Sequence, residues 1–157
     1  MAMSTQPWSA ARGDPTQTDV RCDLDAVTSR DVRRRVRDLL TGHAGVVVDD
    51  AVLVVDELVS NALCHAVAPR VCRLSLADQG RCLRIEVDDG SPEQPRMRTP
   101  DRHGGRGLVL VDRLASSWGV RHHGHHKTVW AELVLIRPGS SGHAPHLAPA
   151  RHWPTLR

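Results

Sequence analysis

The sequence predicts an α+β domain, a two-layer α/β sandwich with helices on one face of a mostly antiparallel sheet. Three observations predict it. Two stretches with helical hydrophobic spacing come first, followed by two runs that alternate in the two-residue period of strands. A short third helix and a closing hairpin lie beyond a Pro- and Arg-rich loop. The turns at Asp78-Gln79-Gly80 and around Gly124 are short enough to join antiparallel neighbours, which leaves the helices to cover one face.

Each element has its own warrant. Thr28 or Ser29 can cap a helix carrying Val32, Val36, Leu39 and Leu40 on one side. Arg30, Arg33, Arg34 and Arg37 fall on the other sides and read as a solvated face rather than a DNA-reading one. Gly42 and Gly45 break that helix. A longer one is expected from Asp49 or Asp50 to about Ala66, stopped by Pro69. Residues 71–76 and 81–87 read as strands, with Leu83, Ile85 and Val87 on one face and Arg84 and Glu86 on the other. Residues 107–115 read as a short helix, and residues 118–122 and 128–136 as a hairpin. With no Phe and no Tyr, the core must be aliphatic, and Trp118 and Trp130 are expected as its large members.

The folded part is expected to span residues 18–137. Residues 1–17 read as a flexible N-terminal arm, and residues 138–157, with four prolines and no apolar periodicity, as a disordered C-terminal tail. A chain of 157 residues supports one domain, and 40% apolar residues suffice for a core. The net charge of +3 is too small to indicate direct nucleic-acid binding. The N-terminus lacks a signal-peptide pattern and no apolar run can span a membrane, so a soluble, cytoplasmic protein is expected. Cys72 and Cys82 can be drawn facing one another across a strand pair, but free buried thiols are the reading that fits a reducing compartment.

Three sets of residues carry chemistry. Glu57 and Asn61 stand four apart on the long helix, so carboxylate and carboxamide project side by side; ordinary surface residues at this spacing are the competing reading. Phosphate-bound Mg²⁺ takes few protein ligands, and Asn61 can serve as one. Glu57 can then orient or deprotonate a hydroxyl. Asp89 stands at the end of a strand, in Asp89-Gly90-Ser91-Pro92, where it can accept from a purine amino group; an ordinary tight turn is the competing reading. Gly104-Gly105-Arg106-Gly107-Leu108 enters a helix, where backbone N–H groups favour phosphate, yet it is neither a Walker A loop nor a dinucleotide fingerprint. His122, His123, His125 and His126 around Gly124 read as a polar hairpin turn rather than a zinc site. His65 reads as a packed, hydrogen-bonded residue.

In order and spacing these motifs, closed by Lys127-Thr128-Val129-Trp130, resemble the GHKL (Bergerat-fold) ATPase superfamily, and within it the anti-sigma-factor serine/threonine kinases of actinobacterial type. The resemblance covers residues 18–136. It implies ATP and Mg²⁺ as cofactors, with Glu57 as general base, Asn61 as metal ligand, and Asp89 as acceptor for the adenine amino group with Thr128 close to it. Gly104, Gly105, Gly107 and Leu108 would border the phosphates, under a short lid at residues 96–103. Cys64 stands where relatives carry a longer polar or basic residue, so the phosphate grip would fall to Arg102 or Arg106. Ser91 replaces a glycine of the wider superfamily.

Two functions follow from the resemblance. One is a serine/threonine protein kinase that phosphorylates an antagonist protein and otherwise holds a sigma factor. The other is an ATP-responsive protein-binding module with negligible turnover. Relatives of this type tend to dimerise through the first helix, so a homodimer is expected, without nucleic acid or membrane.

Overall fold

The computed structural model describes residues 19–91 and 107–135. The expected arm (1–17), tail (138–157) and lid (96–103) lie outside them, as do Arg102, Gly104, Gly105 and Arg106. The elements run β1 (Asp19–Asp23), α1 (Ser29–Leu39), α2 (Gly45–His65), β2 (Val71–Ala77), β3 (Cys82–Asp89), α3 (Gly107–Leu114), β4 (Ser117–His122) and β5 (Lys127–Val134). The five strands form one sheet in the order β1-β2-β3-β5-β4, antiparallel at every pairing. The α+β sandwich expected from the sequence is the observed architecture.

β1 is the element that the hydrophobic reading passed over. Only Val20 and Cys22 of its five residues turn inward, between two aspartates and an arginine that face out. It forms an edge strand on β2, with Cys22 opposite Cys72. The strand pair sketched for Cys72 and Cys82 is therefore replaced: Cys72 stands opposite Val87, and Cys82 opposite Ala77. All four cysteines are free; Cys22 and Cys72 are buried, whereas Cys64 is exposed. Burial, reinforced by neighbouring Cys22, pushes the Cys72 thiol well up from its ordinary value.

α1 begins at a complete capping box. Asp31 N–H donates to Thr28 Oγ1 at 3.2 Å, and Thr28 N–H donates to Asp31 Oδ2 at 3.0 Å, an arrangement worth about 1 kcal/mol. Val32, Val36 and Leu40 are buried along one side. The arginine face is less idle than expected, because Arg33 pairs with Asp56 at 3.0 Å and Arg37 with Asp49 at 3.4 Å, tying α1 to α2.

α2 starts four residues earlier than the acidic pair suggested. Val47 and Val48 N–H groups already close on the Ala44 carbonyl, and both side chains pack partly buried against the core. Packing of this apolar turn overrides the missing side-chain cap. Ala51, Val52, Val54, Val55, Leu58, Val59 and Ala62 then line the buried side of the helix. They meet Leu74, Leu83, Ile85, Val87, Val129, Ala131 and Leu133 from the inner face of the sheet. The tryptophans are not the centre of this core. Trp118 packs at its margin and donates to Asp112 at 3.0 Å. Trp130 lies across Gly119, where a β-carbon would come within 3.1 Å of the indole.

Candidate nucleotide site

Glu57 and Asn61 are both half-buried on α2, and α2 packs against α3. The contact is tight at one point: a β-carbon at Gly107, the first residue of α3, would lie 2.4 Å from Glu57 Oε2. Gly107 is thus a cradle for the carboxylate, which rests against the opening turn of α3. Burial, then the charge of neighbouring Asp56, raises the Glu57 carboxyl above its ordinary value. Among the described residues no side chain hydrogen-bonds either Glu57 or the Asn61 carboxamide. Half-exposed beside the α2–α3 contact, this carboxylate and this amide are open to an external ligand.

The end of β3 is held against the far end of α2. Gly90 N–H donates to Val67 O at 2.8 Å, and a β-carbon at Gly90 would come 2.7 Å from Ala68 O. Only glycine allows that approach. Arg70 secures the same corner by donating to the Leu63 and Ala66 carbonyls that end α2, both at 3.3 Å, and by pairing with Asp25 at 2.7 Å. Asp89 is consequently fixed beside the C-terminal end of α2. With a helical rise of about 1.5 Å per residue, Asn61 lies roughly 6 Å from that helix end and Glu57 roughly 12 Å. Asp89, Asn61, Glu57 and the start of α3 therefore follow one another along α2.

Asp89 is 2% exposed. Its Oδ1 accepts from Lys127 Nζ at 2.8 Å and from Ser91 N–H at 2.9 Å, and Lys127 Nζ also donates to Ser91 O at 3.2 Å. The β3–β5 register, which sets Asp89 opposite Lys127, aligns the pair. Thr128 does not share this environment. It stands opposite Asp88 on the other face of the sheet, where its hydroxyl donates to Asp88 Oδ1 at 2.6 Å and meets His123 Nε2 at 2.9 Å. The expectation that Thr128 lies close to Asp89 is corrected by the two-residue period of the strand, which turns adjacent side chains to opposite faces.

That outer face carries its own charge network. Arg73 clamps Asp88 with two hydrogen bonds, at 2.6 and 3.1 Å. Burial works to raise Asp88, but the hydrogen bonds from Arg73 and Thr128 and the Arg73 charge outweigh it and hold the carboxyl below its ordinary value. Glu86, 8% exposed at the middle of the sheet, is ringed by Arg73, Arg84 and Arg121.

Of the candidates Glu57, Asn61, Asp89, Ser91 and Gly107, the fold sets Gly107 against Glu57 and Ser91 against Asp89, with Asn61 one turn along α2 from Glu57. Leu108 is buried, so it serves packing. Lys127 is not among the expected site residues; its being the sole lysine of an arginine-rich chain is the signal for it in the sequence. His65 is exposed rather than packed. His123 and His126 stack at 4.5 Å in the hairpin turn, and the described residues contain no cluster able to hold a metal by protein ligands alone. No described helix is long and apolar enough to cross a membrane.

The donor set fits a magnesium-bound nucleotide: a carboxylate at the start of α3, a carboxamide one turn along α2 from it, and a buried polar pair beyond the end of that helix. Residues 21–133 match the model of the histidine kinase-like ATPase domain. The fold is similar to the crystal structure of the RsbU and RsbW domains of Rv1364c from Mycobacterium tuberculosis, with 25% identity and a TM-score of 0.57. That similarity covers 78% of this chain and 33% of the other, so this chain spans a third of that one's length. No curated protein matches at a significant level. The chain belongs to the histidine kinase-like ATPase domains, the superfamily that its motifs resemble.

Proposed function

We propose that this domain is a regulatory serine/threonine protein kinase of the cytoplasm, which binds ATP with Mg²⁺ and phosphorylates an antagonist protein. The observation that carries the reading is the Glu57 carboxylate, unpartnered and raised in pKa, resting on Gly107 at the start of α3. When bound, magnesium ATP supplies an electrophilic γ-phosphorus whose charge the metal helps to neutralise. Glu57 accepts the proton of the attacking hydroxyl, and its raised pKa brings it nearer the neutral range in which a base is most effective. Asn61 would hold the metal through its carboxamide oxygen. Asp89 accepts from the adenine amino group, and the N–H groups of the first turn of α3 face the phosphates. Arg102 or Arg106 is proposed to grip the phosphates, which Gly104 and Gly105 would border.

An antagonist partner, and a sigma factor as the protein held when that partner is absent, belong to this reading through the resemblance of the motifs to the anti-sigma-factor kinases. A homodimer through α1 belongs to the same reading. The test is incubation with labelled ATP and a panel of small antagonist proteins from the host. Transfer of label to one of them supports the kinase; nucleotide binding without transfer to any of them selects the second reading, an ATP-responsive binding module. One observation favours that alternative. Cys64, one turn beyond Asn61, is exposed and meets Ser60 at 4.0 Å, so α2 carries neither lysine nor arginine there.

A further inference from the structure

Lys127 is the only lysine of a chain whose other long cations are all arginine, and its side chain is 6% exposed. A buried ammonium is costly unless its protons find acceptors. Nζ has three to give. One goes to Asp89 Oδ1 and one to the Ser91 carbonyl, and the third has no acceptor among the described residues. Asp89 is the mirror case. Its Oδ1 accepts twice, from Lys127 and from Ser91 N–H, while Oδ2 accepts from no described group. Side by side, the pair holds one spare donor and one spare acceptor.

We propose that Lys127 is a specificity-determining residue that reads the nucleotide base together with Asp89, donating to ring nitrogen N1 of adenine while Asp89 Oδ2 accepts from the adjacent amino group. This deepens the nucleotide reading above and rests on it. Adenine presents a donor and an acceptor on neighbouring atoms of its Watson–Crick edge, the complement of the spare pair. A carboxylate alone would satisfy the amino group and leave N1 without a donor. Lysine suits the position where arginine does not: its compact ammonium needs three acceptors, which Asp89, Ser91 and N1 supply, whereas a guanidinium brings five N–H groups in a rigid fork. The negative charge of Asp89 also offsets the burial of the ammonium.

The test compares ATP with 1-deaza-ATP, in which N1 is replaced by C–H, on the full wild-type chain with Mg²⁺. Calorimetry should find 1-deaza-ATP weaker by roughly tenfold or more, the worth of a hydrogen bond from a charged donor. A structural staple between β3 and β5 would not register the change. Lysine ¹⁵N labelling gives one side-chain ammonium signal, and ATP should slow exchange of its protons with solvent more than 1-deaza-ATP does. Lys127→Met should bind the two nucleotides alike; the wild-type measurements stand whether or not that variant folds. Equal affinity of the wild type for both nucleotides would overturn the role of Lys127 and leave ATP binding intact. Binding of neither would overturn both readings.

Discussion

Gly107 and Glu57 are in contact such that no side chain fits between them: a β-carbon on the first would lie 2.4 Å from a carboxylate oxygen of the second. The obstructing atom is the far end of a flexible side chain, so Gly107→Ala should be accommodated by moving Glu57 rather than by disrupting the fold. The melting temperature should stay within a few degrees, since a small local adjustment costs about 1 kcal/mol or less. Phosphoryl transfer should fall at least tenfold, because the displaced base no longer meets the hydroxyl. An unaltered transfer rate would show that the position of the carboxylate does not matter.

Glu57→Gln keeps the size of the side chain and removes its charge. Nucleotide affinity should remain within a few-fold of wild type, while transfer falls by roughly 10²–10⁴, the worth of a general base. The base works only when deprotonated, and its pKa lies above the ordinary 4.5. Wild-type turnover should accordingly fade as pH drops through that raised value, and the residual activity of Glu57→Gln should lack this acidic limb. Rate profiles of both proteins with one substrate would decide the matter; loss of binding in Glu57→Gln would make the carboxylate structural.

Asn61→Ala separates metal from nucleotide. In wild type, chelation of Mg²⁺ should weaken ATP binding strongly. In the variant, affinity should already be lowered and should respond little to chelation, since the protein ligand to the metal is gone. Calorimetric titrations with and without EDTA provide the comparison, and an undiminished magnesium effect in the variant would remove Asn61 from the metal site.

Thr128 and Asp89 lie on opposite faces of the sheet and should answer differently to substitution. Thr128→Val removes the donor to Asp88, costing about 1 kcal/mol of stability, and should leave ATP affinity unchanged. Asp89→Asn should weaken ATP binding by tenfold or more, as a buried acceptor becomes a mismatched group. The Asp88 carboxyl is held below its unfolded value of 3.8. Its stabilising contribution is therefore complete above that value and is lost as pH falls through the lower folded one. The stability gap between wild type and Thr128→Val should narrow over the same acidic range in urea denaturation. Equal loss of ATP affinity in both variants would place Thr128 in the base site after all.

Much of this molecule is legible along the chain because local rules wrote it. The capping box at Thr28 and Asp31, the periodic faces of α1 and α2, and the alternation Leu83-Ile85-Val87 are each specified within a few neighbouring residues. The four-residue spacing of Glu57 and Asn61 sets them on one side of a helix before any tertiary contact forms. β1 escaped for a matching reason: with two inward residues, its identity comes from pairing with β2 rather than from its own pattern.

By itself, then, the sequence determined the layers of the sandwich, the aliphatic carriers of the core and a short list of candidate polar residues. Tertiary structure alone decided which of those residues meet. The β3–β5 register set Lys127 against Asp89 and sent Thr128 to Asp88 on the far face, and the packing of α3 on α2 brought Gly107 onto Glu57. Periodicity fixes which side of its own element a residue faces, but which residue stands opposite depends on strand register and helix packing, and these are set by long-range burial of the whole core.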